Sequence, residues 1–127
     1  MLVGVPKEIK THEYRVGLVP SSVRELCHHG HRVIVESRAG EGIGCGDEVY
    51  RAAGAEIVAS ADEVFARAEM VVKVKEPQAQ ECAKLRPGQI LYTYLHLAAD
   101  KPQTEALLRS GCVAIAYETV TDRHGRL

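Results

Sequence analysis

The sequence predicts a doubly wound α/β domain, with a mainly parallel sheet and helices on both of its faces. Three observations carry that expectation. Short β-rich runs alternate with helix-like segments over all 127 residues. Runs such as "RVIVE" lack the polar alternation of a half-exposed strand, so both of their faces should be packed. No linker, low-complexity stretch or internal repeat divides the chain, and successive parallel crossovers in one sheet are right-handed. Residues 1–127 therefore read as a single Rossmann-like domain.

The elements follow in order. "LVGVP" (2–6) is the first strand. "PSSVRELCHHG" (20–30) has helical spacing, with Ser22 and Glu25 placed as a capping box and Gly30 as the C-terminal stop. "RVIVE" (32–36) is the second strand, "DEVYRAAG" (47–54) a short helix closed by Gly54, and "AEIVA" (55–59) the third strand. "SADEVFARA" (60–68) is a helix whose box is Ser60 with Glu63. Strand "MVVKVK" (70–75), helix "QAQECAKL" (78–85), strand "QILYTYL" (89–95), helix "KPQTEALLRSG" (101–111) and strand "CVAIAYE" (112–118) complete the pattern. After that strand "TVTDRHGRL" trails off where another helix is expected, so the protein reads as cut short.

Composition narrows the function classes. Lys and Arg number 16 against 17 Asp and Glu, which leaves no field to draw nucleic acid or an anionic membrane. The N-terminus has no apolar core of a signal peptide, and no apolar run approaches the roughly 20 residues of a membrane span. Cys27, Cys45, Cys82 and Cys112 form no C-x-x-C pair and read as reduced thiols of a cytoplasmic protein, not as a zinc site.

In open α/β sheets ligands bind beyond the carboxyl ends of the strands. That rule selects Arg15, at the end of the polar loop "KEIKTHEYR", Lys75 at the tip of "MVVKVK", and Tyr94 and His96 at the tip of "QILYTYL". The planar fork of Arg15 suits a carboxylate, although a lone loop arginine is more often a solvated charge. Lys75 can hydrogen-bond and polarise a substrate carbonyl; Lys73, of the same strand parity, is expected to snorkel or pair with an acid. His96 can pass protons in both directions near neutral pH, or can be a satisfied half-buried side chain, and Tyr94 can line the pocket or join the core. His28, His29 and His31 surround a helix end and read as capping groups, while His12 and His124 read as solvent-facing.

"AGEGIGCG" (39–46) invites a dinucleotide reading and fails it. The fingerprint G-x-G-x-x-G finds Cys45 at its sixth position when started from Gly40, and Asp47 when started from Gly42. Asp47 and Glu48 would also repel a pyrophosphate at the next helix, so the glycines read as a turn needing positive φ values.

Five stretches carry a more specific likeness: "GVPKEIKTHEYRVGLVP" (4–20), "AGEGIGCGDEVYRAAGA" (39–55), "VVKVKEP" (71–77), "LYTYLHLA" (91–98) and "AIAYETV" (114–120). In collinear order they resemble the N-terminal domain of the alanine dehydrogenase and transhydrogenase α-subunit family, with the alanine dehydrogenase branch the better match. The resemblance implies NAD-linked, reversible oxidative deamination of L-alanine to pyruvate and ammonia. By position, Arg15 then corresponds to a carboxylate-binding arginine, Lys75 to a lysine on the substrate's carbonyl or amine end, His96 to the catalytic acid/base, and Tyr94 to a pocket tyrosine. It also implies that NAD is bound by a domain not present in this chain, and that the full-length enzyme is a homo-oligomer, a hexamer. The 127-residue chain is accordingly expected to be a fragment, inactive by itself, with exposed apolar surface that favours self-association. Two other readings compete. One is a module that binds a small oxo acid or amino acid without chemistry; the other is the N-terminal domain of a proton-translocating transhydrogenase α subunit.

Overall fold

The computed structural model describes residues 1–127 and contains one six-stranded sheet, all of whose strand pairs are parallel. The strands are β1 (Leu2–Val5), β2 (Arg32–Glu36), β3 (Glu56–Val58), β4 (Met70–Val72), β5 (Ile90–Thr93) and β6 (Val113–Ala116). Between them run α1 (Pro20–His28), α2 (Asp47–Ala52), α3 (Ala61–Arg67), α4 (Ala79–Cys82) and α5 (Lys101–Ser110). The spatial order β3-β2-β1-β4-β5-β6 reverses direction between β1 and β4. That junction is the switch point of a doubly wound sheet, the crevice in which such folds bind ligands.

Strand parity explains why helices cover both faces. Val3, Val5, Val33, Val35 and Val72 point to one side, where Val23 of α1, Tyr50 of α2 and Ala53 at its C-cap complete a buried cluster. Their neighbours Ile34, Val71 and Leu91 point to the other, against Val64 and Phe65 of α3, Cys82 of α4 and Leu107 of α5. Gly4 lies on this second face, where an added Cβ would collide with the side chains of Ala68 and Val64. Its lack of a side chain is what lets α3 sit against β1. The fold class and the two-sided helix cover agree with the reading of the sequence.

Several local expectations are corrected. The Ser22–Glu25 capping box does not form: α1 begins at Pro20, with Val19 as its N-cap and no side-chain cap. Proline has a preset helical φ and no N–H to satisfy, so it starts the helix ahead of the serines. Ser60 does accept from Glu63 N, but the Glu63 carboxylate turns to Arg67 instead of closing the box. A complete box stands where the sequence suggested none, at Gln78 and Glu81 of α4, which spans only Ala79–Cys82 of the predicted 78–85. Strand β4 stops at Val72 because the Val74 amide is taken by the Glu8 carboxylate at 2.6 Å, out of reach of the ladder. Strand β5 ends at Thr93 and β6 at Ala116, so Lys75, Tyr94 and His96 sit on turns beyond the strand tips. Among the histidines, His29 fulfils the capping role, its Nδ1 lying 2.9 Å from the Glu25 carbonyl.

Strand β6 is an edge, and Val113 on it is 51% exposed, with Leu108 of α5 at 77%. The four cysteines are unpaired, and no helix is long and apolar enough to cross a membrane.

Candidate active site

The switch point is built on a buried charge cluster. Lys73 is fully buried, and its ammonium lies 2.9 Å from Glu8 of the loop after β1 and 2.9 Å from Glu81 of α4. Each carboxylate has a second duty: Glu8 accepts from Val74 N, and Glu81 accepts from Gln78 N at 2.8 Å. The cluster pins the loop after β1, the tip of β4 and the start of α4 to one another. It fulfils the expectation that Lys73 pairs with an acid, with two acids in place of one.

The next residues outward carry the candidate chemistry. Lys75 Nζ stands 5.0 Å from the centre of the Tyr94 ring, and the Tyr94 and His96 rings are stacked with centroids 5.7 Å apart and planes 13° from parallel. An ammonium over an aromatic face is held by the ring quadrupole. Ammonium, phenol and imidazole therefore form one row at the carboxyl ends of β4 and β5. Tyr94 and His96 reach this row by leaving the strand, not by sharing a strand face. Thr93 donates to the Lys75 carbonyl at 2.8 Å, and Tyr117 donates to the Val74 carbonyl at 2.8 Å. The main chain on both sides of Lys75's turn is thus tied down.

Arg15 belongs to the same rim but not to the row. It lies in a neighbouring cavity of about 430 Å³, together with Lys7, Glu8, Glu13 and Gly42. Its guanidinium is held by Glu13, which contributes a fork of two oxygens at 2.8 Å each. That bond is the main cause that draws the Glu13 carboxyl down to about 2, against the opposing effect of burial, and the charge of Lys75 adds to it. Glu13 therefore lies in the joint field of Arg15 and Lys75. Burial pushes the Tyr117 phenol up, while the charge of Arg15 draws it the other way. A larger concavity of about 960 Å³ opens between α4 and α5, and none of Arg15, Lys75, Tyr94 and His96 lines it.

Glu13, Tyr117 and Glu118 are the site residues that sequence reasoning passed over. Glu118 accepts from the main-chain amides of Leu95 and His96. The available signals were the "THEYR" and "AYETV" stretches, whose spacing does not say which tip each residue reaches.

The glycine loop is a structural turn. Residues Glu41–Ile43 form a 3-10 turn, and of the loop's glycines only Gly44 has a positive φ, at 75°. At Gly40 and Gly42 a Cβ would strike the carbonyls of Cys45 and Tyr14 respectively. At those two glycines the chain itself takes the space beside the backbone, while Gly44 and Gly46 have nothing within 4 Å. Asp47, at the first turn of α2, is committed to the Ser37 hydroxyl and the Arg38 amide.

Fold and site together define a doubly wound α/β domain whose switch point carries cations, a phenol and an imidazole. The chain belongs to the family described as alanine dehydrogenase/PNT, N-terminal domain, whose model matches residues 4–127. Alanine dehydrogenase of Mycolicibacterium smegmatis is 55% identical over 127 residues, which are all of this chain and 34% of that protein. A solved L-alanine dehydrogenase superposes with a TM-score of 0.94 at 54% identity, covering 98% of this chain and 34% of the other. A transhydrogenase from Sinorhizobium meliloti has the same fold at 29% identity and a TM-score of 0.89, covering 98% and 35%. The chain thus spans about a third of the length of the relatives it matches.

Proposed function

We propose that this chain is the substrate-holding part of an NAD-dependent L-alanine dehydrogenase, which converts L-alanine and water to pyruvate and ammonia and runs in both directions. The observation that carries the reading is the Lys75–Tyr94–His96 row beside Arg15 at the switch point. A planar guanidinium can grip the carboxylate common to alanine and pyruvate. The Lys75 ammonium can hydrogen-bond the oxygen or nitrogen on the neighbouring carbon, and so favour the charge that develops there. Held at two points, the α-carbon is fixed in place, which is the positioning a transfer from carbon requires. His96 then serves water: it takes a proton as water adds to the iminium carbon, and returns one as ammonia leaves.

NAD, the hydride acceptor in this reading, finds no G-x-G-x-x-G loop at residues 39–46, where the carbonyls of Cys45 and Tyr14 stand against Gly40 and Gly42. Its binding belongs to sequence outside these residues. Assembly as a homo-oligomer, with a hexamer for the full-length enzyme, and a cytoplasmic location form part of the same proposal.

The test uses a full-length enzyme carrying this domain. His96→Ala should collapse turnover by about 10²–10⁴-fold, the range of general acid–base catalysis, with substrate affinity little changed. Near-normal turnover in that variant removes His96 from the mechanism. The 127-residue chain, mixed with pyruvate, ammonia and NADH, should consume none of the NADH. If it binds pyruvate by calorimetry and loses that binding in Arg15→Ala, the isolated chain acts as an oxo-acid-binding module.

A further inference from the structure

His96 has φ 48° and ψ 47°, a left-handed backbone that residues with a side chain seldom adopt. Such a conformation persists only where its surroundings over-determine it. Gln103 Nε2 donates to the Leu95 carbonyl at 2.8 Å, and the amides of the turn are held by one other side chain. Glu118 Oε1 accepts from His96 N at 2.9 Å and from Leu95 N at 3.1 Å, and Oε2 lies 3.3 Å from Leu95 N. Two successive amides converging on one anion make a nest, a concavity proteins also use for phosphates and carboxylates. The anion here belongs to the chain, and it arrives from the 3-10 turn Tyr117–Thr119 that follows β6. Burial acts to raise the Glu118 carboxyl, but the His96 and Leu95 amides, with the charge of His96, hold it below the ordinary glutamate range.

We infer that Glu118 is a positioning residue: its carboxylate fills the Leu95–His96 nest and fixes the left-handed turn from which the imidazole stacks on Tyr94 beside Lys75. The catalytic consequence rests on the reading of His96 as the acid/base; the structural link does not. Tyr117 works in the same direction, because its hydroxyl binds the carbonyl of Val74, next to Lys75. One short segment after β6 thereby ties the tips of β4 and β5 together. A site assembled from three strand tips needs such a tie, since a misplacement of about 1 Å can cost about a hundredfold in rate.

Glu118→Gln keeps an acceptor oxygen and loses the charge, while Glu118→Ala loses both. In the 127-residue chain, amide hydrogen exchange at Leu95 and His96 and the HN–Hα coupling of His96 read the turn directly. Exchange of those two amides should accelerate about tenfold or more in the Ala variant and about threefold in the Gln variant, with the rest of the spectrum native. In a full-length alanine dehydrogenase carrying this domain, kcat should fall about a hundredfold in Ala and about tenfold in Gln, with KM for pyruvate within about threefold. If Glu118→Ala does not fold, Glu118→Gln decides by the same readouts. A Gln variant indistinguishable from the parent in both exchange and kcat overturns the inference, as does a loss confined to KM. Should His96→Ala prove fully active, the dehydrogenase reading of His96 fails, and the exchange data still decide whether Glu118 holds the turn.

Discussion

Arg15 and Glu13 form a two-pronged ion pair in which Nε and Nη2 each lie 2.8 Å from a carboxylate oxygen. The guanidinium that suits a substrate carboxylate already grips one from its own chain, two residues away. Under the proposed function, in which Arg15 grips the substrate carboxylate, Glu13 is an internal competitor for that arginine. Arg15 is largely exposed, so the contest is modest: such a pair contributes at most about 1 kcal/mol. Glu13→Gln should therefore tighten pyruvate binding, by up to about fivefold on that scale. Calorimetric titration at neutral pH measures it, and weaker binding in the variant would mean that Glu13 helps to orient Arg15 instead.

The same pair gives a pH dependence with a definite sign. The folded-state pKa of Glu13 is depressed from the ordinary 4.5 to about 2. Its contribution to stability is therefore fully present above about 4.5 and is lost as pH falls through that window toward about 2. Urea midpoints of the parent chain should drop across this range more steeply than those of Glu13→Gln. Equal slopes for the two proteins would show that the pair does not persist in solution.

Lys73 should be among the most sensitive positions in the domain. Removing it leaves Glu8 and Glu81 facing each other in the interior without the shared ammonium. Breaking a buried pair by deleting one partner costs about 3–5 kcal/mol. Lys73→Ala is expected to lose that much in denaturant unfolding, and a loss below about 1 kcal/mol would mean that water replaces the ammonium.

The glycine turn separates two roles that one motif could have shared. At Gly42 an added Cβ would strike the Tyr14 carbonyl, so Gly42→Ala should displace the loop bearing Arg15. Lower thermal stability and weaker pyruvate binding are expected together. At Gly46 nothing lies within 4 Å, and its φ of −75° suits any residue. Gly46→Ala should stay within about 0.5 kcal/mol of the parent. A silent Gly42→Ala would mean that the two loops do not touch in solution.

Much of this molecule was legible in its sequence, and for identifiable reasons. Runs such as "RVIVE", short, β-branched and apolar at every inner position, read as strands packed on both faces, and their alternation with helices points to the layer order. The strand-end rule then selected Arg15, Lys75, Tyr94 and His96 without knowledge of strand order. Local chemistry was read less well. Ser22 and Glu25 had the spacing of a capping box, but Pro20 began the helix first. Gln78 and Glu81 formed a box whose N-cap is not a serine or threonine.

What the sequence by itself determined is the α/β architecture, the family and the identity of the cationic and imidazole groups at one sheet edge. The architecture and the site groups follow from periodicity and residue type, which are local properties; the family follows from the resemblance of five collinear stretches. Only the tertiary structure decided who holds whom: Glu8 and Glu81 on Lys73, Glu118 on the amides of Leu95 and His96, Tyr117 on Val74, and Glu13 on Arg15. Three of those four arrangements join residues from different strand tips or helices, and the fourth turns on side-chain direction in a loop. No spacing rule reports such contacts, because sheet order places these residues together and chain order does not. "AGEGIGCG" shows the same division, for its glycines suggested a ligand and the fold set the carbonyls of Cys45 and Tyr14 against Gly40 and Gly42.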